Sequence, residues 1–74
     1  MNGTIARLIA EKGFGFIRGE NSSDYFFHRS DFNGFFEDLV ADVDAGRTIK
    51  VTFESVPSAK GLRAGGVTRV DGGV

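Results

Sequence analysis

The chain contains no cysteine, which removes both a disulfide framework and a thiolate metal site from consideration. Its one histidine cannot build a usual zinc site by itself. It has no run of about 18 apolar residues, so it carries no membrane-spanning helix. The opening Met1-Asn2-Gly3-Thr4 shows neither the basic start nor the apolar stretch of a secretory signal, and the expected location is the cytoplasm. Catalytic patterns are missing as well. Ser22, Ser23, Ser30, Ser55 and Ser58 lie in no nucleophile motif, and a single histidine leaves little room for a base-assisted triad. Gly13-Phe14-Gly15 lacks the further glycine and the helix start of a phosphate-cradling loop. These absences predict a protein that is not an enzyme and uses no cofactor, no metal and no small-molecule substrate.

A basic excess is also lacking. Nine Lys and Arg stand against ten Asp and Glu, a net charge of −1, whereas nucleic-acid binders usually carry a positive footprint. The distribution matters more than the total. Residues 1–30 balance to +1, residues 31–46 hold five acids and no base, and residues 47–74 balance to +3. An acidic middle that is solvated and turned away from a working face leaves the remainder mildly positive.

Phenylalanine is abundant: eight of the 74 residues, in a chain that is 41% hydrophobic. A domain this small needs only a few such rings for its interior, so several are expected outside it. Strand signals dominate the chain. Thr4–Ala10 is a short apolar run, and Phe14–Arg18 and Asp24–His28 are aromatic-rich runs separated by turn chemistry at 19–23. Within Arg47–Ser55, residues Ile49, Val51 and Phe53 share a face at period two, and Pro57-Ser58 is expected to end that strand. Leu62–Val70 reads as a weaker last strand whose Gly65-Gly66 suggests a bulge or a close backbone approach. Only Phe36–Val43 has helical potential, and Ser30-Asp31 offers an alternative cap for a single turn after His28. Five strands with short turns predict an all-β fold, a small antiparallel barrel over residues 1–70 that hides its own edges. The tail at 71–74 is expected to fray.

Alternation sorts the aromatic residues. Phe14 and Phe16 point to one face of the second strand, and Phe26 and His28 to one face of the third. A tight hairpin gathers these four side chains in one cluster and leaves Ile17, Tyr25 and Phe27 to fill the interior. A single-layer barrel cannot bury both faces, so one aromatic face meets solvent or a partner. Glycines on either side of Phe14 are read as leaving the strand surface bare around that ring. Flat rings beside Lys12, Arg18 and Arg29 suit unpaired bases, each stacked base contributing about 1–3 kcal/mol. Two or three such contacts reach roughly micromolar affinity without a strongly basic protein, with a shallow salt dependence.

Lys12-Gly13-Phe14-Gly15-Phe16-Ile17 resembles the first ribonucleoprotein motif of the cold-shock domain family, and Phe26-Phe27-His28 resembles the second. The resemblance runs from Gly3 through Val67. It implies a five-stranded OB-type barrel that binds single-stranded RNA or DNA with little sequence demand. It also implies an RNA-chaperone or transcription and translation regulatory role, with a monomer as the default state. Carried over by position, Phe14, Phe16, Phe26 and His28 match stacking residues and Lys12 a backbone-contacting lysine. Phe36 matches a further stacking ring, expected to be exposed where Phe35 is buried. Lys60, Gly61 and Arg63 resemble the basic-glycine segment before the last strand. Two departures stand out. Ala6-Arg7-Leu8-Ile9 replaces the usual Lys-Trp-Phe-Asn, so two stacking rings are lost and Arg7 is left to stack its guanidinium on a base. Arg29 occupies a position that is often aromatic. The chain is also about six residues longer between Leu39 and Val51 than is usual in the family, a length assigned to the acidic loop. The competing expectation is an OB-type protein-interaction module whose rings dock a protein.

Overall fold

The computed structural model describes residues 1–59 and 61–70. Lys60 and the tail at 71–74, expected to contact a ligand and to fray respectively, lie outside the described residues. Five strands are present: β1 (Asn2–Ile9), β2 (Phe14–Gly19), β3 (Asp24–His28), β4 (Lys50–Ser58) and β5 (Gly61–Arg69). They close in the order β1-β2-β3-β5-β4. All junctions are antiparallel except β3–β5, which is parallel and joined at Phe26 opposite Arg63. Closure pairs strands that would otherwise present open hydrogen-bonding edges.

Alternation along these strands decides the core. Ile5, Ile17, Tyr25, Phe27, Val51, Phe53, Ala64 and Val67 point inward, and all are buried. At a few positions the interior admits no side chain. A Cβ on Gly15 would lie 2.7 Å from the Arg7 carbonyl oxygen and 3.0 Å from the Phe27 ring, and one on Gly3 would lie 2.8 Å from the Arg18 carbonyl oxygen. Gly13, at φ +70°, closes the turn between β1 and β2 in the left-handed region that a side chain would strain. Gly13 and Gly15 are thus both buried and serve the turn and the barrel interior. This corrects the expectation that they bare the surface around Phe14: Gly15 lies on the opposite face of the pleat from residue 14, and Gly13, in the turn before the strand, is covered by the Arg29 side chain.

Two irregularities shape the sheet. The β1–β2 register passes from Ile5 opposite Ile17 to Arg7 opposite Phe16, a bulge at Ala6. The β4–β5 register passes from Thr52 opposite Thr68 to Glu54 opposite Gly65, with the extra residue at the expected glycine pair and Gly66 at φ +58°. Strand β4 does not stop before Pro57, as its sequence suggests, but continues to Ser58. Strand β1 pairs with β4 only over Lys50–Thr52, flanked by a bond from the Ile5 amide to the Ile49 carbonyl on one side and by bonds in both directions between Met1 and Phe53 on the other. Beyond that point one edge of β4 is open, and a residue without an N–H can sit there without losing a ladder bond.

Between β3 and β4 the chain forms a 3₁₀ turn at Arg29–Asp31 and the helix α1 (Phe36–Asp44). Phe36, Leu39, Val40 and Val43 fall at i, i+3, i+4 and i+7, a single apolar stripe. Phe36 and Leu39 are buried, and Val40 and Val43 pack on the core. The acidic segment is therefore an amphipathic helix with its acids outward, and it is less solvated than its composition predicts. Asp31 pairs with Arg63, Glu37 with Arg29, and Asp42 with both Arg47 and Arg69. No helix among the described residues is long and apolar enough to cross a membrane.

Candidate nucleic-acid interface

The β2–β3 hairpin sets Phe14 opposite His28 and Phe16 opposite Phe26, so all four side chains share the outer face of the barrel. Its turn is tied at both ends. The Gly19 amide donates to the Ser23 carbonyl at 2.8 Å, and Arg18 Nε donates to Asp24 Oδ1 at 2.7 Å. Asn21 Nδ2 donates to the Tyr25 hydroxyl at 3.0 Å, giving that buried ring a partner for its polar end. Register is specified because a slip of one residue would carry Phe27 out and Phe26 in.

The three rings pack as a cluster. Centroids of Phe14 and Phe26 are 5.3 Å apart, and each lies 6.0 Å from Phe16 in an edge-to-face arrangement. Each ring is half-buried. Such contacts hold rings in place by about 0.5–1.5 kcal/mol per pair, so the platform is ordered before anything binds. Pre-ordering lowers the entropy lost on binding.

His28 extends the platform and is fixed by the turn that follows it. The Ser30 amide donates to His28 Nδ1 at 3.3 Å, while the His28 amide donates to Asp31 Oδ2 at 3.0 Å, a reciprocal cap. The Ser30 bond makes Nδ1 an acceptor and leaves Nε2 as the nitrogen available to a ligand. The same Asp31 oxygen accepts from Arg63 Nη2 at 2.9 Å. One carboxylate thus holds the histidine turn and the arginine beside Phe26 together. A cleft of about 400 Å³ opens between Phe26, Arg63 and Ser58-Ala59 of the β4–β5 turn.

The bulge at Ala6 places Arg7 directly across from Phe16, on the ring face. Ile9, opposite Phe14, lines the next rung, and Leu8 turns inward against the core. Read across the sheet, one rung runs Arg7, Phe16, Phe26, Arg63 and Val56 through β1, β2, β3, β5 and β4. Lys12 stands exposed in the turn before Phe14, and the Arg29 side chain lies over Gly13.

One expected member is misplaced. Phe36 is buried, 7% exposed, with its ring 6.2 Å from that of Phe27, whereas Phe35 is 75% exposed. The helix stripe decides this: Phe36 is in phase with Leu39, Val40 and Val43, and Phe35 precedes the helix in extended backbone. That phase is readable in the sequence and would have pointed to Phe35 as the outward ring. The structure therefore brings together Phe14, Phe16, Phe26, His28, Arg7 and Arg63 on adjoining strands, sets Lys12 and Arg29 at their border, and removes Phe36 to the core.

Comparison with known proteins agrees with this geometry. The family described as the 'Cold-shock' DNA-binding domain matches residues 1–70. Cold shock protein CspC of Bacillus subtilis is 39% identical over 67 residues, covering 90% of this chain and 94% of its own length. The major cold shock protein of Micrococcus luteus is 42% identical over 71 residues, covering 92% and 96% respectively. Cold shock protein 1 of Lactiplantibacillus plantarum is 38% identical over 66 residues, covering 89% and 92%. With a closed five-stranded OB-type barrel, an outward aromatic cluster on β2 and β3, and a family match across its described length, the chain belongs to the cold-shock domain family, whose members bind nucleic acid.

Proposed function

We propose that the protein binds single-stranded RNA or DNA by stacking unpaired bases on Phe14, Phe16, Phe26 and His28, with Phe35 in the outer stacking position first assigned to Phe36. The observation that carries this reading is the half-buried ring cluster, ordered by its own edge contacts on a face that the barrel cannot use as core. Rings displayed in this way offer π-faces to any base, which favours sequence-tolerant binding. Lys12 supplies a charge at the border of the platform, and Arg63 is held in place by Asp31 for polar contacts beside Phe26. A ligand that holds bases unpaired shifts pairing equilibria away from hairpins by mass action. The action is that of an RNA chaperone or a regulator of transcription and translation, carried out in the cytoplasm by a monomer without catalysis.

A fluorescence-anisotropy titration with a labelled seven-nucleotide oligothymidine, and with a duplex of similar length, tests this. Micromolar or tighter binding to the single strand, and little to the duplex, is the expected result. Phe26→Ala should weaken that binding about tenfold or more, the worth of one lost stack, and leave the unfolding transition in place. Failure to bind oligothymidine or oligouridine would sink the reading in favour of a protein-docking face.

A further inference from the structure

The cations around the ring platform are not equivalent. Arg63 bonds Asp31 at 2.9 Å, Arg18 bonds Asp24 at 2.7 Å, and Arg29 faces Glu37 at 3.9 Å. Away from the rings, Arg47 and Arg69 both face Asp42. Arg7 is the one arginine that makes no ion pair among the described residues, and exposed Lys12 makes none there either. Both lie on the same side of the platform. Arg7 is held by the β1 bulge across from Phe16, and Lys12 stands at the turn leading from β1 into Phe14. Arg18 on β2, Arg29 after β3 and Arg63 on β5 each have a carboxylate beside them that offsets their field. A phosphate approaching Arg63, Arg18 or Arg29 meets Asp31, Asp24 or Glu37 together with the arginine. Arg7 and Lys12, by contrast, are engaged by no carboxylate among the described residues, Glu11 next to Lys12 standing exposed and in no ion pair there.

We infer that Arg7 is a phosphate-binding residue that, with Lys12, draws the backbone of the bound strand to the β1 side of the platform while its bases lie across β2 and β3. The inference rests on the stacking reading and adds to it a direction for the strand and a role for the side chain that stands where the family usually has tryptophan. The guanidinium replaces a stack with a charge contact, so part of the binding moves from the rings to the phosphates. A strand neutralised at two phosphates loses affinity with a slope of about −1.4 in log affinity against log salt, at about 0.7 for each contact on single strands. A tenfold rise in salt then lowers affinity about 25-fold.

The test is the oligothymidine titration repeated from low to moderate salt with the unsubstituted chain and with Arg7→Gln, Arg7→Lys and Arg47→Gln. Arg7→Gln should reduce the slope by about 0.7, so that the same rise in salt costs about fivefold. Arg7→Lys should keep the slope of the unsubstituted chain because it keeps the charge. Arg47→Gln, which lies away from the rings and leaves Asp42 paired with Arg69, should leave it unchanged. An oligothymidine with uncharged methylphosphonate linkages should bind the unsubstituted chain and Arg7→Gln equally. An unchanged slope in Arg7→Gln, or an equal fall in Arg47→Gln, overturns the assignment while leaving the stacking reading intact. Absence of binding by the unsubstituted chain defeats the stacking reading itself.

Discussion

The inner and outer faces of the β2–β3 hairpin are built from nearly the same materials and meet opposite fates. Ile17, Tyr25 and Phe27 face the barrel and are 0–2% exposed, while Phe14, Phe16 and Phe26 face outward and are half-buried. Hydrophobicity does not separate the two sets, since phenylalanine is on both. The pleat separates them, because successive residues point to opposite faces, and Phe26 and Phe27 are neighbours in sequence. An aromatic residue here is structural or functional according to the parity of its position. Gly15 reinforces the division by keeping the inner face of β2 free of a side chain where the β1 backbone comes close.

The largest effect that can break this comparison is on the inner face. Phe27→Ala should destabilise the fold by about 3–5 kcal/mol, the usual cost of deleting a buried ring. A domain of this size has little more than that in total, so the variant should be largely unfolded at 37 °C by circular dichroism. Phe36→Ala belongs to the same class, since its ring packs on Phe27. If the Phe27 variant melted no lower than the Phe26 variant, parity would not distinguish core from platform.

Gly15→Ala should come next. The backbone there is not in the left-handed region, so added stiffness of the unfolded chain would stabilise by about 0.4–1 kcal/mol. Opposing it, the new methyl group meets a carbonyl oxygen at 2.7 Å and a ring atom at 3.0 Å, neither the free end of a flexible chain. Overpacking of this kind costs about 1–3 kcal/mol, and a net loss is expected in urea unfolding. A gain would mean that β1 can move away from β2 at the bulge, and the placement of Arg7 opposite Phe16 would then be loose.

Much of this arrangement is legible in the residues, and the failures have physical causes. Period-two alternation assigned the faces of β2, β3 and the first half of β4, because each strand is buried on one side only. Parity also held Ile17, Tyr25 and Phe27 inside. The end of β4 was illegible, because whether a proline breaks a strand depends on whether its edge is paired, and that is set by where β1 stops. The parallel closure at Phe26 and Arg63 was illegible for a similar reason, being a contact between segments far apart in sequence. The glycines flank Phe14 in sequence but not in space, since the pleat turns Gly15 inward and the Arg29 side chain covers Gly13, a contact between residues at the ends of different strands. The ion pairs of Asp31 and Asp42 were hidden because their partners, Arg63 and Arg69, lie on β5.

Phe35 and Phe36 repeat the hairpin's lesson at helical period and supply the smallest test. The pair is adjacent, like Phe26 and Phe27, but helical phase assigns the two rings, through the stripe Phe36-Leu39-Val40-Val43. Phe35 is left 75% exposed on the segment that leaves the platform after His28, at the start of a helix whose Glu37 faces Arg29 beside Gly13. Phe35→Ala should leave the unfolding midpoint almost unmoved, as exposed positions do, within about 0.5 kcal/mol. It should weaken oligothymidine binding by only about three- to tenfold, toward the low end of a single stack, because the ring has no neighbouring ring among the described residues to order it. The loss should shrink when the oligonucleotide is shortened to four residues, which the β2–β3 rings can fill by themselves. An equal loss on short and long strands would place Phe35 inside the platform, and no loss on either would confine stacking to the hairpin.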